Sequence, residues 1–326
     1  MSSRPHFFYG WFVVGAAAGM NFANASVAIA VLSIFVIPMG TELGWNRAEI
    51  AGAASLGAIL GAVLAPLSGW LVDRFGSRLM LVLGGIIITA ACFYLSVVQT
   101  LLGFYVAFTL ARASELGLIT VGTSTAMGKW FLLYRGRVTG LIFFAESAGI
   151  IALAPITQLV ISIGDWRIAW IVTGGWMLVI GVVPSALFMR RQPEDMGLSV
   201  DGRPTYKAPR SNLAVSNKER RIEETSWTIG QVLRTPTFWL LLMSLFAVSI
   251  GTSGVGVHLV PHLMQQGLSV QSAVGAISVM FTAGALASLA LGFASERVSP
   301  RLLMALAYLL VAVDLPPENW SKVYER

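Results

Sequence analysis

Long apolar runs separated by short polar breaks dominate the chain. The runs cover about residues 8–37, 48–70, 79–98, 101–127, 138–163, 168–189, 236–262 and 270–293. Each is near or above the roughly 20 apolar residues that cross about 30 Å of hydrocarbon as a helix. In hydrocarbon a helix satisfies every backbone polar group internally, so the pattern predicts an all-α polytopic membrane protein. The rhythm is interrupted once. From Arg190 to about Thr235 the chain turns polar, with Pro193, Pro204, Pro209 and charges of both signs. The expected organisation is therefore a six-helix N-terminal bundle over 1–189, a linker over 190–235, a partial C-terminal bundle of about two to three helices over 236–313 and a polar tail over 314–326. Within the linker, Ser226 to Leu233 reads as a short interfacial helix with Ser226 as its cap and Trp227 at headgroup level. The linker's arginines suit either an anionic-lipid site or a plain solvated connector.

Composition agrees with the pattern. The chain is 56% hydrophobic and 12% charged, where soluble domains carry about 25% charge. A net charge of +6 raises the question of nucleic acid. It is answered by placement, since the charges sit in short connections rather than on a basic face interleaved with aromatics. Arg4, Arg74, Arg78, Lys129, Arg135, Arg137, Arg297, Arg301 and the linker arginines fall before the first run or in alternate connections, and the opposite connections hold only Arg47 and Arg167. Basic loops stay in the cytoplasm, so the N-terminus is expected there and the protein in a plasma (inner) membrane. The first run is too long for a signal-peptide core and no small-residue cleavage site follows it. The lone Cys92 offers neither a disulfide framework nor a metal cluster and reads as a packing residue.

One turn occurs twice. Gly69-Trp-Leu-Val-Asp-Arg-Phe-Gly-Ser-Arg78 returns in weaker form as Gly292-Phe-Ala-Ser-Glu-Arg-Val-Ser-Pro-Arg301. The offset of about 223 residues also pairs Gly44, Gly52, Ala53, Ser55 and Gly61 with Gly267, Gly275, Ala276, Ser278 and Gly284. A duplicated bundle with a charged turn in each half is the signature of a two-halved membrane transporter. In the first copy Gly69 and Gly76 allow close helix approach and a tight turn. Asp73, Arg74 and Arg78 form a charge cluster at the membrane edge, either a latch between two arrangements or a topological anchor. The second copy supplies Glu296, Arg297 and Arg301.

The first copy of this turn resembles the loop motif between spans 2 and 3 of the major facilitator superfamily, and its weaker copy matches the place between spans 8 and 9. Several stretches are similar to the oxalate/formate antiporter and monocarboxylate transporter branch. They are Tyr9-Gly-Trp11, Lys129-Trp-Phe131, Arg135-Gly-Arg137, Gly140-Leu141, Gly164-Asp-Trp-Arg167, Arg191-Gln-Pro-Glu-Asp-Met-Gly-Leu198 and Val257-His-Leu-Val-Pro-His262. The resemblance covers nearly everything to about residue 310. It implies the major facilitator fold, alternating access, and a loop cluster that holds the outward-facing state. It also implies secondary active transport of a small organic solute, a mono- or dicarboxylate, by proton symport or anion exchange. Anion sites of that branch often use basic residues in span 8 and a late span. Here 270–293 has no Lys or Arg, which puts the carboxylate in doubt unless Arg112 supplies the charge.

Ionisable residues inside spans are costly and point to a cavity or a partner. Arg112 and Glu115 are i,i+3 on one face of the fourth run, with Arg112 about 16 Å from its start. Glu146 lies about 13 Å along the fifth run from Arg137. The three suit an anion-binding arginine with a proton-exchanging carboxylate, or a fixed ion pair that staples two helices. Asn21 and Asn24 share a face of the first run and either line a cavity or bond a neighbouring helix. His258 and His262 are i,i+4 but supply no third metal ligand. His258 is placed near the outer mouth, as an interfacial group or in proton access. Gly15/Gly19, Gly57/Gly61 and Gly136/Gly140 read as internal packing sites.

No phosphate loop, catalytic triad or metal set appears. The expectation is a non-enzyme with no cofactor or metal, whose partners are a small organic solute, a proton or counter-anion, and the lipid bilayer. If the second half mirrored the first, its sixth span would end near residue 412, and Leu302 to Val313 gives only about 18 Å. The chain thus reads as C-terminally truncated and poorly active alone. A non-transporting remnant or accessory membrane protein, or a drug or sugar carrier of the same superfamily, stay as alternatives. Oligomeric state lies beyond the residues.

Overall fold

The computed structural model describes residues 8–202, 228–247, 249, 266–267 and 270–313. These residues are helical, without a strand among them. Six membrane-length apolar helices appear over Gly10–Leu43, Arg47–Phe75, Ser77–Leu95, Leu101–Trp130, Arg135–Ile163 and Trp166–Phe188. They match the first six predicted runs, with ends moved by a few residues. The seventh predicted run falls mostly outside the described residues, which hold only helix Pro236–Ala247 of it. Helices follow at Val270–Ala294 and Pro300–Val313.

Three of the six spans are composite. The first is α1 (Gly10–Ala23), a 3₁₀ turn at Asn24–Val27, extended backbone at Ala28, and α2 (Ile29–Leu43). The second and third are α3 (Arg47–Phe75) and α4 (Ser77–Leu95). The fourth joins α5 (Leu101–Ser114) to α6 (Thr120–Trp130) through a π turn at Glu115–Ile119. The fifth is α7 (Arg135–Ile163), and the sixth joins α8 (Trp166–Trp176) to α9 (Val183–Phe188) through a π turn at Met177–Val182. A π turn fits one extra residue into a helical turn and is found mostly at functional sites. The sequence pattern did not disclose either one, because apolar periodicity changes little over a single turn.

Short-range chemistry sets the helix boundaries. Asn46 and Glu49 form a reciprocal capping box, with Glu49 N–H donating to Asn46 Oδ1 at 2.9 Å and Asn46 N–H to Glu49 Oε2 at 2.8 Å. Thr100 and Asp165 cap the starts of the fourth and sixth spans, accepting from Gly103 N–H and Arg167 N–H at 3.2 Å each. Gly44 (φ 74) and Gly76 (φ 86) end α2 and α3 in conformations that side chains with a Cβ resist. Replacing Asn46 with Ala leaves α3 uncapped, and we expect a loss of about 1 kcal/mol, read as a lowered unfolding midpoint in detergent.

Contacts divide the chain into two compact units. The first comprises residues 1–205 and 278–299. Inside it α3 packs along α5, α1 along α7, and α4 between α5 and α8. Its core is aromatic where α2 and α8 meet: Phe35 stacks on Trp170 with ring centroids 4.0 Å apart, and Phe104 stacks on Phe108 in α5. The outward faces are apolar, as at Ile163 and Leu102, which suits hydrocarbon contact rather than water. The second unit, 206–277 and 300–326, includes α10 (Ile229–Leu233), α11 (Pro236–Ala247) and α13 (Pro300–Val313). Helix α12 (Val270–Ala294) contributes residues from 278 onward to the first unit. The cap of α10 is Thr228, whose box closes on Gln231, not Ser226 as the sequence reading expected. A β-hydroxyl two residues nearer the apolar run competes directly for the same N–H groups. In this unit Tyr308 donates to Ser244 Oγ at 3.2 Å.

Small residues bring the fourth span close to the second. A Cβ at Gly57 would lie 2.6 Å from Arg112 Cβ, and one at Gly61 would lie 2.8 Å from Leu116 Cβ. Gly117 in the π turn meets Leu64 in return. The Gly57/Gly61 pair thus serves internal packing, as expected, and seats the stretch that carries Arg112 and Glu115.

Candidate functional site

Among the described residues, Arg112, Glu115 and Glu146 are the charged side chains that lie within spans away from their ends. Arg112 donates through Nη1 to Glu115 Oε2, an i,i+3 ion pair along the α5–π junction. Glu115 is buried and Arg112 nearly so. The pair occupies only part of the guanidinium, which has five N–H donors in a planar fork. Arg112 Nε is buried with no partner among the described residues. From α7, the half-buried Glu146 interacts electrostatically with both Arg112 and Glu115. Thr120 Oγ1 donates to Glu115 O at 3.0 Å, taking up a carbonyl within the π turn. Of the three charges expected to meet, Arg112 and Glu115 are in direct contact.

The first span contributes two amides. Asn21 Nδ2 donates to Ala17 O at 2.8 Å and to Thr123 Oγ1 at 3.2 Å, which ties the first span to the fourth. Asn24 opens the 3₁₀ turn and is buried, and its Oδ1 has no partner among the described residues. His258 lies outside the described residues. The described residues contain no group of three or more His, Cys, Asp or Glu placed to hold a metal ion.

A second set of charges gathers at the end of the bundle where α3, α6 and α9 finish. Asp73 pairs with Lys129 Nζ at 3.1 Å rather than with its neighbours Arg74 and Arg78. For Arg74 helix geometry explains the difference, since adjacent residues on a helix do not face one another, while Arg78 lies beyond the Gly76 turn on α4. Arg74 instead lies 5.5 Å from the ring centroids of Trp70 and Phe75, and Arg78 is exposed. Gly76 supplies the turn, with Arg191 packed over it, and Arg191 Nη2 donates to Asp73 O at 2.8 Å. At Gly69 a Cβ would meet no atom of the described residues within 4 Å, so close helix approach is not its role here. Asp201 closes the set, accepting from Leu133 N–H at 3.0 Å and from Leu132 N–H.

The second copy of the turn finds a partner in α7. Glu296 pairs with Arg137 Nη2 at 2.6 Å, and the guanidinium sits between the rings of Tyr134 and Phe293, 5.3 and 5.2 Å from their centroids. Beneath the pair the helices nearly touch, since a Cβ at Gly140 would lie 3.1 Å from Gly292 Cα. Arg297 is exposed, as is Arg301 at the start of α13. At the opposite end of the bundle Glu42 accepts from Trp166 Nε1 at 2.6 Å and pairs with Arg167 at 2.8 Å.

Sequence reading did not single out Lys129, Arg137, Asp201 or Glu42 as partners. Their signal is weak: Lys129, Arg137 and Glu42 lie at span ends and Asp201 in the polar linker, where charge is ordinary. Only the repeat, which marks Glu296 as the counterpart of Asp73, hinted that each acid requires a base on another helix.

Comparison with known proteins fits this architecture. The family model described as "Major Facilitator Superfamily" matches residues 11–315. The oxalate:formate antiporter of Oxalobacter formigenes is 25% identical over 290 residues, covering 87% of this chain and 63% of that protein. Monocarboxylate transporter 12-B of Danio rerio is 22% identical over 298 residues, covering 89% and 62%. Monocarboxylate transporter 11 of Mus musculus is 22% identical over 330 residues, covering 96% and 68%. The chain thus spans 63% of the length of the bacterial relative and 62% of the fish one. With a family match across nearly all of its residues and six apolar helices of membrane length, this multi-pass membrane protein belongs to the Major Facilitator Superfamily.

Proposed function

We propose that the chain is a secondary active carrier of a small organic solute bearing a carboxylate, which binds at Arg112. One observation carries this reading: a largely buried arginine within a span, paired to Glu115 through Nη1, keeps an Nε with no partner among the described residues. A guanidinium recognises carboxylates through its planar fork, and in a low-dielectric setting a charge-assisted hydrogen bond is at its strongest. Glu115 or Glu146 exchanges a proton during the cycle, or a counter-anion takes the solute's place. Asn21 and Asn24 line the same path. The names of the relatives, an oxalate:formate antiporter and monocarboxylate transporters, support the carboxylate.

Gating in this reading is carried by the repeated turn. Gly69, Asp73, Arg74, Gly76 and Arg78 in the first copy, and Glu296, Arg297 and Arg301 in the second, belong to a latch on the cytoplasmic side of a plasma membrane. The N-terminus lies on that side, because the basic connections cluster there. Asp73→Asn removes the charge that Lys129 pairs with, and we expect slower exchange with greater accessibility of sites on that face to thiol reagents. Unchanged exchange and unchanged labelling make the turn a topological anchor.

Counterflow in proteoliposomes against a panel of mono- and dicarboxylates tests the function itself. A carboxylate that accelerates exchange in the wild-type chain, with loss in Arg112→Gln, supports it. Acceleration by neutral sugars or cationic drugs, with carboxylates inert, overturns it.

A further inference from the structure

The fifth span begins against its own dipole. Helix α7 has no acidic residue in its first turn, its N-cap Tyr134 makes no side-chain cap bond, and its opening residues include Arg135 and Arg137. A helix start carries partial positive charge and unpaired N–H groups, so cations there are unfavourable and an anion is stabilising. The anion is supplied from 68 residues further along the chain. One carboxylate, Asp201, accepts from the successive N–H groups of Leu132 at 3.2 Å and Leu133 at 3.0 Å, just ahead of α7. Successive N–H groups that converge on one anion form a concavity suited to negative charge. Asp201 reaches it in a left-handed conformation (φ 59, ψ 11), the one non-glycine residue with positive φ among the described residues. Side chains resist that region, Asp less than most, and such a conformation persists only where the surroundings hold it. They do so here: Leu198 packs against the core, and a Cβ at Gly202 would lie 2.8 Å from the Phe8 ring, itself set against Trp130 and Phe131.

The same segment brackets the Asp73–Lys129 pair. At its beginning Arg191 Nη2 donates to Asp73 O at 2.8 Å, and Arg190 O accepts from Trp130 Nε1 at 3.3 Å. At its end Asp201 holds the turn that follows Trp130. Lys129, which pairs with Asp73 at 3.1 Å, is the neighbour of Trp130 and so lies between the two anchors. We propose that residues 190–202 form a strap for this pair, with Asp201 as its positioning residue. Through the turn at 131–134 Asp201 sets the end of α6, and with it the reach of Lys129 to Asp73. This rests on the reading of the Asp73 turn as a latch and adds what holds the latch shut. The pair needs such help, because the Asp73 side chain is 73% exposed. An exposed ion pair gains little Coulomb energy and must confine two side chains to one geometry. A backbone already fixed at Lys129 lowers that entropic cost. The chain runs on from Gly202 into the linker, so Asp201 is the first anchor that a pull from that side meets.

A cysteine reporter tests the coupling. Cys92, the chain's one cysteine, is buried. Ser77→Cys adds a second thiol at the start of α4, where Ser77 is buried beside the Asp73 turn. Maleimide labelling of the purified full chain in detergent is followed by mass spectrometry, with hydrogen–deuterium exchange at residues 131–138 measured alongside. Asp201→Gly removes the carboxylate and suits the left-handed backbone. It is expected to speed labelling about tenfold, as Asp73→Asn is. Asp201→Asn keeps an acceptor oxygen and is expected to fall between wild type and Asp201→Gly. Combining Asp201→Gly with Asp73→Asn is expected to add less than about twofold, because both act through one pair. Faster amide exchange at 131–138 with labelling unmoved by Asp201→Gly makes Asp201 a cap for α7 alone. That result overturns the proposal, and the latch reading stands if Asp73→Asn still speeds labelling. Fully additive effects in the double variant also overturn the proposal. Labelling unmoved by Asp73→Asn overturns both. Should Asp201→Gly fail to fold, Asp201→Asn carries the same comparisons.

Discussion

Replacing Arg112 with Met is expected to cost more than any other single substitution in the bundle. It leaves Glu115, buried at 6% exposure, without its cation. Removing one partner of a buried ion pair typically costs about 3–5 kcal/mol, because the remaining charge is uncompensated. The double variant Arg112→Met/Glu115→Leu removes both charges and refills the volume. It is expected to recover most of the lost stability, measured as the denaturation midpoint in detergent. Carboxylate binding is expected to vanish in both variants. These outcomes separate the two readings the sequence leaves open. A pair that only staples the helix predicts that the double variant keeps its ligand. Stability restored with binding lost assigns the pair to the solute.

Gly57→Val has the second largest expected effect, and it acts by displacement. Even a Cβ at this position would lie 2.6 Å from Arg112 Cβ, 2.9 Å from Cγ and 3.1 Å from Thr109 O. Backbone and the base of a side chain cannot swing aside, so α3 and α5 must part. Overpacking of this kind costs about 1–3 kcal/mol and moves the guanidinium relative to Glu146. We expect lowered thermal stability together with weakened ligand binding. Gly15→Ala and Gly69→Ala serve as controls, since neither position has an atom of the described residues within 4 Å of the added carbon. There the better helix propensity of alanine is expected to leave stability unchanged or raise it by up to about 1 kcal/mol. Equal losses at all three sites would show that glycine count, rather than the α3–α5 seam, limits the bundle.

How much of this was legible beforehand depends on the kind of feature. Span positions follow from apolar run length, which hydrocarbon thickness enforces without help from tertiary contacts. The pairing of Arg112 with Glu115 was also readable, because residues three apart share a helix face. Partner choice at the span ends was not. Asp73 has two arginines near it in sequence yet pairs with Lys129 across the bundle, and only packing brings α3 and α6 together. Gly69 looked like a close-contact glycine, whereas Gly57 and Gly61 hold that role. Spacing alone does not say which helix faces which. Both π turns were invisible for a similar reason: they depend on local hydrogen bonding that residue type barely marks.

The π turn at Glu115–Ile119 also changes the phase of its span. One residue more than an α-helix needs turns everything beyond it by about 100° relative to what precedes it. Upstream lies Arg112, bonded to Glu115, and downstream lie Thr123, bonded to Asn21, and Lys129, bonded to Asp73. A straight helix would aim one set correctly and point the other elsewhere. The extra residue therefore acts as a register shift between the mid-span charges and the end-face contacts. Deleting a single residue there, with every named side chain left intact, would be enough to uncouple them.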